Sequence, residues 1–91
     1  MTDTRIVLDD DTRQLLGKVA DRLGGSQPEA PMHAASRLYE ALLCSQEKHG
    51  LTDAAFAAEQ LLLAAAPQVR PGQTRGEYAT LLRLVAEGVH P

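Results

Sequence analysis

The chain has 91 residues, a formal net charge of −3 and an apolar content of 44%. This composition is typical of one small globular domain and argues against a disordered segment. The acidic balance argues against the strongly basic surface that many nucleic-acid-binding domains carry. Because aromatic residues make up only 3%, we expect a core of leucine, valine and alanine in closely packed helices.

The sequence carries no signal for export or for membrane insertion. Its first residues, MTDTRIV, lack the basic and apolar regions of a signal peptide, and no apolar run reaches the length of a membrane span. We therefore expect a cytoplasmic protein without membrane contact. The single cysteine, Cys44, excludes an internal disulfide, and its helical surroundings predict a small buried apolar residue.

The first predicted elements are a short strand and a helix. Residues 4–8 contain three consecutive β-forming residues, which indicate a strand but could also lead directly into a helix. The aspartates of residues 9–11 favour a helix start, since their charges suit the positive end of the helix dipole. The first helix is predicted over residues 12–23, ended by left-handed conformations at Gly24 and Gly25. Its predicted inward residues are Leu15, Leu16, Val19, Ala20 and Leu23.

The second predicted helix has two candidate starts. Ser26 and Glu29 have capping-box spacing, with Pro28 in the first turn. Alternatively, the helix starts at Pro31, because a proline further inside would remove a backbone hydrogen bond. In both cases it continues to Gly50. Its predicted apolar side carries Ala34, Ala35, Leu38 and Leu42.

The third and fourth predicted helices are the more strongly apolar part of the chain. The third has a main stripe at helical spacing and a second stripe at Phe56 and Leu63, so we expect it to pack on two sides. The main stripe consists of Leu51, Ala54, Ala55, Ala58, Leu61, Leu62 and Ala65. Pro67 ends this helix. A capping box at Thr74 and Glu77 predicts the fourth helix, which ends at Gly88 and turns Tyr78, Leu81, Leu82 and Val85 inward.

No constellation of residues predicts catalysis. The histidines His33, His49 and His90 lack the spacing of metal ligands. No local set pairs a nucleophile with a base, and the Gly24-Gly25 pair follows a helix instead of joining a strand to a helix. We therefore expect a protein that is not an enzyme and that needs neither metal nor cofactor.

The opening stretch resembles a known family. Its runs TRIVLDDDTRQLL, KVADRLG, GS-x-x-E and AA-x-x-L-Y-x-x-L resemble the ribbon–helix–helix family of DNA-binding regulators and antitoxins, over residues 4–45. In that family two chains pair their strands into a ribbon that enters the major groove. The resemblance implies a mainly α fold, with a short N-terminal strand followed by four helices. Residues 1–50 would form the dimerisation segment, and residues 51–91 a helical extension packed on it in one compact domain.

The resemblance also implies roles for individual residues. The outward positions of the ribbon, which would contact DNA, are Asp3, Arg5 and Val7, and Gly25 and Ser26 would anchor a phosphate at the start of the second helix. The residues assigned to the dimer core are Thr4, Ile6, Leu8 and Leu38.

Two functions remain open from the sequence. The first is a homodimeric DNA-binding transcriptional regulator or antitoxin that binds duplex DNA, which Arg5 in an outward position favours. The second is an all-helical protein-interaction module, such as an adaptor, immunity or chaperone-like protein, with no nucleic-acid role. The acidic balance and the second stripe of the third helix favour this alternative, in which the C-terminal helices bind a protein partner.

Overall fold

A computed structural model of the chain describes residues 8–88 and shows four helices in this part of the molecule. They are α1 (Asp10–Gly25), α2 (Ala34–His49), α3 (Asp53–Ala65) and α4 (Arg75–Ala86). Between residues 8 and 88 no strand forms, and the β-type pairing there is a single antiparallel bridge between Pro31 and Thr74. None of these four helices is long and apolar enough to cross a membrane.

The ribbon–helix–helix fold predicted from the sequence is therefore wrong. Asp9 caps α1 by accepting a hydrogen bond from the Thr12 amide at 2.7 Å, so the helix begins at Asp10, two residues after Leu8. Leu8, which was predicted to face a dimer core, is half-buried and packs against the core of its own chain. The rest of the predicted strand, including Thr4 and Ile6, lies outside the described residues.

The core forms mainly where α1 and α4 pack against each other. The predicted inward face of α1 is confirmed, with all five of its residues buried: Leu15, Leu16, Val19, Ala20 and Leu23. On α4, Tyr78, Leu82 and Val85 are buried as predicted. The Tyr78 hydroxyl donates to the Pro67 carbonyl at 2.5 Å, so the largest core side chain also satisfies its polar atom.

The capping box of α4 is also confirmed. The Glu77 amide donates to the Thr74 hydroxyl at 3.1 Å, and the Glu77 carboxylate accepts from the Thr74 amide at 2.9 Å. These two bonds satisfy two amides that the first turn of a helix leaves without partners.

The segment between α1 and α2 differs from both predictions for the start of the second helix. α1 continues through Gly24 and Gly25, and the left-handed residue that follows is Gln27, with φ of 53°. α2 then begins at Ala34 instead of at Ser26 or Pro31.

The physical reason lies in the backbone of residues 28–32, which bonds to the segment leading into α4. The carbonyls of Pro28 and Ala30 accept from the amides of Gly76 at 2.8 Å and Arg75 at 2.9 Å. In the opposite direction, the Met32 amide donates to the carbonyl of residue 73 at 2.8 Å. Because these backbone groups form hydrogen bonds between the two segments, they are not available for the hydrogen bonds of a helix.

The orientations of α2 and α3 also differ from the predictions. The side of α2 predicted to be buried is exposed; its residues are Ala34, Ala35, Leu38 and Leu42. The buried residues of α2 are instead Glu40, Ala41, Cys44 and Ser45. Of the stripe predicted on α3, three residues are buried within the helix, namely Ala55, Ala58 and Leu62. The exposed residues of this stripe are Leu51, Ala54 and Leu61.

The inward side of α2 includes a charged residue that forms an ion pair. Glu40 is only 6% exposed, and its carboxylate accepts a hydrogen bond from the Arg22 guanidinium of α1. A buried carboxylate without such a partner would be costly, so the pair with Arg22 makes the burial of Glu40 tolerable. The same side of α2 buries Ala41 and Cys44. The leucines on the opposite side of α2 consequently face outward.

Candidate functional site

The most distinctive surface of the described chain is an exposed apolar face on α2 and α3. The two helices pack against each other as a hairpin joined by residues 50–52. We call the following five exposed side chains the hairpin face: Leu38 (52% exposed), Tyr39 (60%), Leu42 (40%), Leu51 (85%) and Phe56 (63%).

The spacing of these residues makes the face continuous. Leu38 and Leu42 are four residues apart on α2, and Tyr39 is three residues from Leu42, so the three share one side of the helix. Leu42, Leu51 and Phe56 line a single groove of about 320 Å³ between the two helices. The face therefore crosses from α2 over the turn to α3.

The turn between the helices holds Leu51 in its exposed position. Gly50, with φ of 74°, adopts a left-handed conformation that suits glycine, and its amide donates to the Gln46 carbonyl at 2.7 Å. Thr52 caps α3 by accepting from the Ala55 amide at 3.2 Å, and its hydroxyl donates to a carbonyl at the end of α2 at 2.9 Å. Leu51 lies between these two fixed residues.

At the other end of the hairpin, Arg37 links α2 to the end of α3. Its guanidinium donates to the carbonyls of Leu63 at 2.7 Å, Ala66 at 3.0 Å and Pro67 at 3.1 Å. These carbonyls lie at the C-terminal end of α3, where helix carbonyls lack partners and the dipole favours a cation. With both ends fixed, the hairpin face is preformed, which lowers the entropy cost of binding.

An acidic residue of α1 holds the hairpin against the rest of the molecule. Asp11 pairs with Lys48 at 2.5 Å (Oδ1 to Nζ) and with His49 at 3.0 Å (Oδ2 to Nε2). The hydrogen bond from Lys48, assisted by the one from His49, lowers the pKa of Asp11. Its carboxylate is therefore charged at neutral pH and joins the start of α1 to the end of α2.

The groove is lined by both apolar and polar residues. Asp53 and Glu59 contribute carboxylates and Gln46 an amide, while no lysine or arginine of the described chain lines it. A volume of about 320 Å³ is at the lower end for small-molecule pockets, which span roughly 300–1,000 Å³. The groove is thus suited to one or two large apolar side chains with a hydrogen-bond donor nearby.

Of the residues predicted to bind DNA, the structure describes Gly25 and Ser26. Asp3, Arg5 and Val7 lie outside the described residues, so their role stays a prediction. Gly25 is the last residue of α1, and Ser26 follows it as the C-terminal cap. Because α2 begins only at Ala34, Ser26 has no helix N-terminus behind it of the kind that binds phosphate.

Ser26 instead takes part in a contact within the chain. Its carbonyl accepts a hydrogen bond from the Arg75 guanidinium at 3.0 Å. The predicted dimer-core residue Leu38 lies on the hairpin face.

Sequence reasoning only partly identified the hairpin face. Phe56 belongs to the predicted second stripe of the third helix, and this stripe was the usable signal. Tyr39 was not singled out, and Leu51 was expected to be buried. Their exposure depends on the rotation of α2 and on the turn, and neither follows from the spacing of apolar residues.

Cys44 is fully buried, as predicted, and burial raises the pKa of its thiol to about 11. At about pH 8 the thiolate fraction of such a group is on the order of 10⁻³, whereas an exposed cysteine with a pKa near 8.5 is substantially ionised. We expect iodoacetamide to modify the folded protein at least ~100-fold more slowly than the urea-unfolded chain, as followed by mass spectrometry. Equal rates in the two states would contradict this burial.

Potential metal ligands do not cluster in residues 8–88: no group of three or more His, Cys, Asp or Glu side chains lies close enough to hold an ion. Comparison with known proteins adds no assignment to this geometry. The chain matches no family model, no curated protein and no solved structure.

Proposed function

We propose that this protein is an all-helical protein-interaction module that binds another polypeptide chain through the hairpin face. The observation that carries the proposal is the exposure of five large apolar side chains on one continuous surface. Soluble proteins rarely expose large contiguous apolar patches unless these take part in binding. Aromatic residues such as Tyr39 and Phe56 are also enriched at protein interfaces.

The charges near the face support a protein partner over duplex DNA. Binding to DNA requires cations that neutralise phosphates, yet the charged groups lining the groove are Asp53 and Glu59. Several cations of the described chain are engaged with carboxylates: Arg22 with Glu40, Lys48 with Asp11 and Arg83 with Asp21. Such pairing reduces the positive potential that they offer to a phosphate backbone.

Photo-crosslinking in the cell that produces the protein tests the proposal. A photoreactive amino acid replaces Leu51, and the matched control carries it at Thr80, which is exposed on α4. We expect discrete protein adducts from position 51 and none from position 80, because only the first lies on the hairpin face. Adducts that are equal or absent at both positions would contradict the proposal.

A DNA-binding assay separates the proposal from the regulator hypothesis. Fluorescence anisotropy with a labelled mixed-sequence duplex, measured over a range of salt concentrations, should show no salt-sensitive binding. Salt-sensitive DNA binding, together with the absence of protein adducts from position 51, would instead support the hypothesis of a DNA-binding regulator.

A further inference from the structure

We propose that the chain bound by the hairpin face is a second copy of this protein, packed hairpin against hairpin about a two-fold axis near Leu42. The proposal rests on the proposed function, since it names the partner of the same surface. It differs from the ribbon dimer predicted by sequence resemblance, because the interface lies on α2 and α3 instead of on the N-terminal segment.

The first support is that the face has the shape of a surface that fits its own copy. Leu38 and Tyr39 are exposed on α2 and do not line the groove, and we call these two residues the ridge. Leu42, Gln46 and Leu51 line the groove. Ridge and groove thus lie side by side on one helical hairpin. In a two-fold interface the same patch serves both copies, so each ridge can enter the groove of the other.

The register along α2 supports the position of the axis. Leu42 is four residues after the ridge residue Leu38 and four residues before the groove residue Gln46. An antiparallel crossing of two α2 helices at Leu42 therefore places each ridge over the groove of the opposite copy. Two such hairpins form a four-helix bundle, in which neighbouring helices bury apolar side chains between them.

The polar groups of the groove fit this arrangement. A tyrosine has an apolar ring and a hydroxyl that donates a hydrogen bond. When Tyr39 of one copy enters the groove of the other, its ring meets the leucines and its hydroxyl reaches the carboxylates of Asp53 or Glu59. A groove that has acceptors and to which residues 8–88 contribute no lysine or arginine suits a donor of this kind.

The area of the face is sufficient for a dimer. Tyr39 and Phe56 are 60% and 63% exposed, and an aromatic side chain presents about 150–250 Å² in full, so each contributes roughly 100–150 Å². Together with the three leucines the apolar surface is on the order of 500 Å², and a surrounding polar rim brings it near the ~800 Å² per partner of a standard interface.

Light scattering coupled to gel filtration tests the oligomeric state. At micromolar concentration we expect twice the 9.8 kDa mass of the chain. Leu51→Asp should weaken the dimer about tenfold or more, because it places a charge among apolar contacts. Leu51 is 85% exposed and lies outside the helices, so the fold should persist. Circular dichroism verifies this.

The matched control is Leu61→Asp. Leu61 is 52% exposed on α3, but it lies five positions after Phe56, which places it on a different side of the helix. This variant should remain a dimer. A wild-type monomer, or a Leu51→Asp dimer that dissociates over the same concentrations as the wild type in a dilution series, would overturn the proposal.

Disulfide trapping tests the axis itself. Two helices packed about 8–10 Å apart, each with Cα atoms about 2.3 Å from its axis, bring facing Cα atoms to roughly 3.5–5.5 Å. A disulfide can span the upper part of this range. Leu42→Cys should therefore form a covalent dimer on mild oxidation, and Leu61→Cys should not. Cys44 is buried and does not compete. The absence of a covalent Leu42→Cys dimer would overturn the position of the axis.

The two proposals fail in different ways. If the protein is a monomer but position 51 crosslinks to another protein, the second copy is excluded and the interaction module stands. If the protein is a monomer and position 51 yields no adduct, both proposals are wrong.

Discussion

A chain that ends at Gly50 is expected not to fold. Such a chain keeps α1 and α2 but loses α4, the helix against which α1 packs most extensively. The leucines of the inner face of α1, fully buried in the whole protein, would then face water. The free energy lost by exposing this core exceeds the whole free energy of unfolding of a small domain, which is about 5–15 kcal/mol.

Circular dichroism and thermal melting of the shortened chain measure this effect. A chain ending at Gly88, which retains all four helices, is the matched control and should melt cooperatively, as the full chain does. If the Gly50 chain melted at the same temperature as the full chain, residues 51–88 would be a loose tail. In that case an antitoxin whose tail folds on its toxin would become the better hypothesis.

Leu62→Ala is expected to lower the free energy of unfolding by about 2–5 kcal/mol, the usual range for a fully buried leucine. Leu62 is only 1% exposed and belongs to the core cluster with residues of α1, α2 and α4. Truncation removes apolar contacts with these helices and leaves a cavity. Urea unfolding at a fixed protein concentration measures the change, since dimerisation would make the apparent stability depend on concentration.

The neighbouring residue provides the control for this substitution. Leu61 is 52% exposed, so Leu61→Ala removes few contacts and should change the free energy of unfolding by less than about 1 kcal/mol. Equal losses for Leu61→Ala and Leu62→Ala would show that α3 is not packed through the side that carries Leu62.

The hairpin face connects the corrected fold with the proposed function. The sequence predicted that the third helix packs on two sides, and the structure covers one of them with its own core and leaves Phe56 exposed. The tertiary structure adds Leu38, Tyr39 and Leu42 of α2 to the same surface. Leu63 of the second stripe packs against the core, whereas no part of residues 8–88 covers Phe56. This exposure is explained if another chain covers the hairpin face.

Elements controlled by neighbouring residues were predictable from the sequence alone. The inward face of α1 follows from helical spacing with a single apolar stripe, so only one orientation buries it. The capping box at Thr74 and Glu77 depends on two residues three positions apart, and it forms as predicted. The burial of Cys44 likewise agrees with its place in a helical apolar run.

Other features depended on contacts between segments distant in sequence. The start of α2 moved to Ala34 because residues 28–32 bond to the segment before α4. Leu38 and Leu42 face outward because α2 buries the side with Ala41, Cys44 and Glu40, and Glu40 can be buried because it pairs with Arg22, 18 residues away in the chain. Helical spacing determines which residues share a side, whereas the partners of buried charges and backbone groups decide which side faces the core.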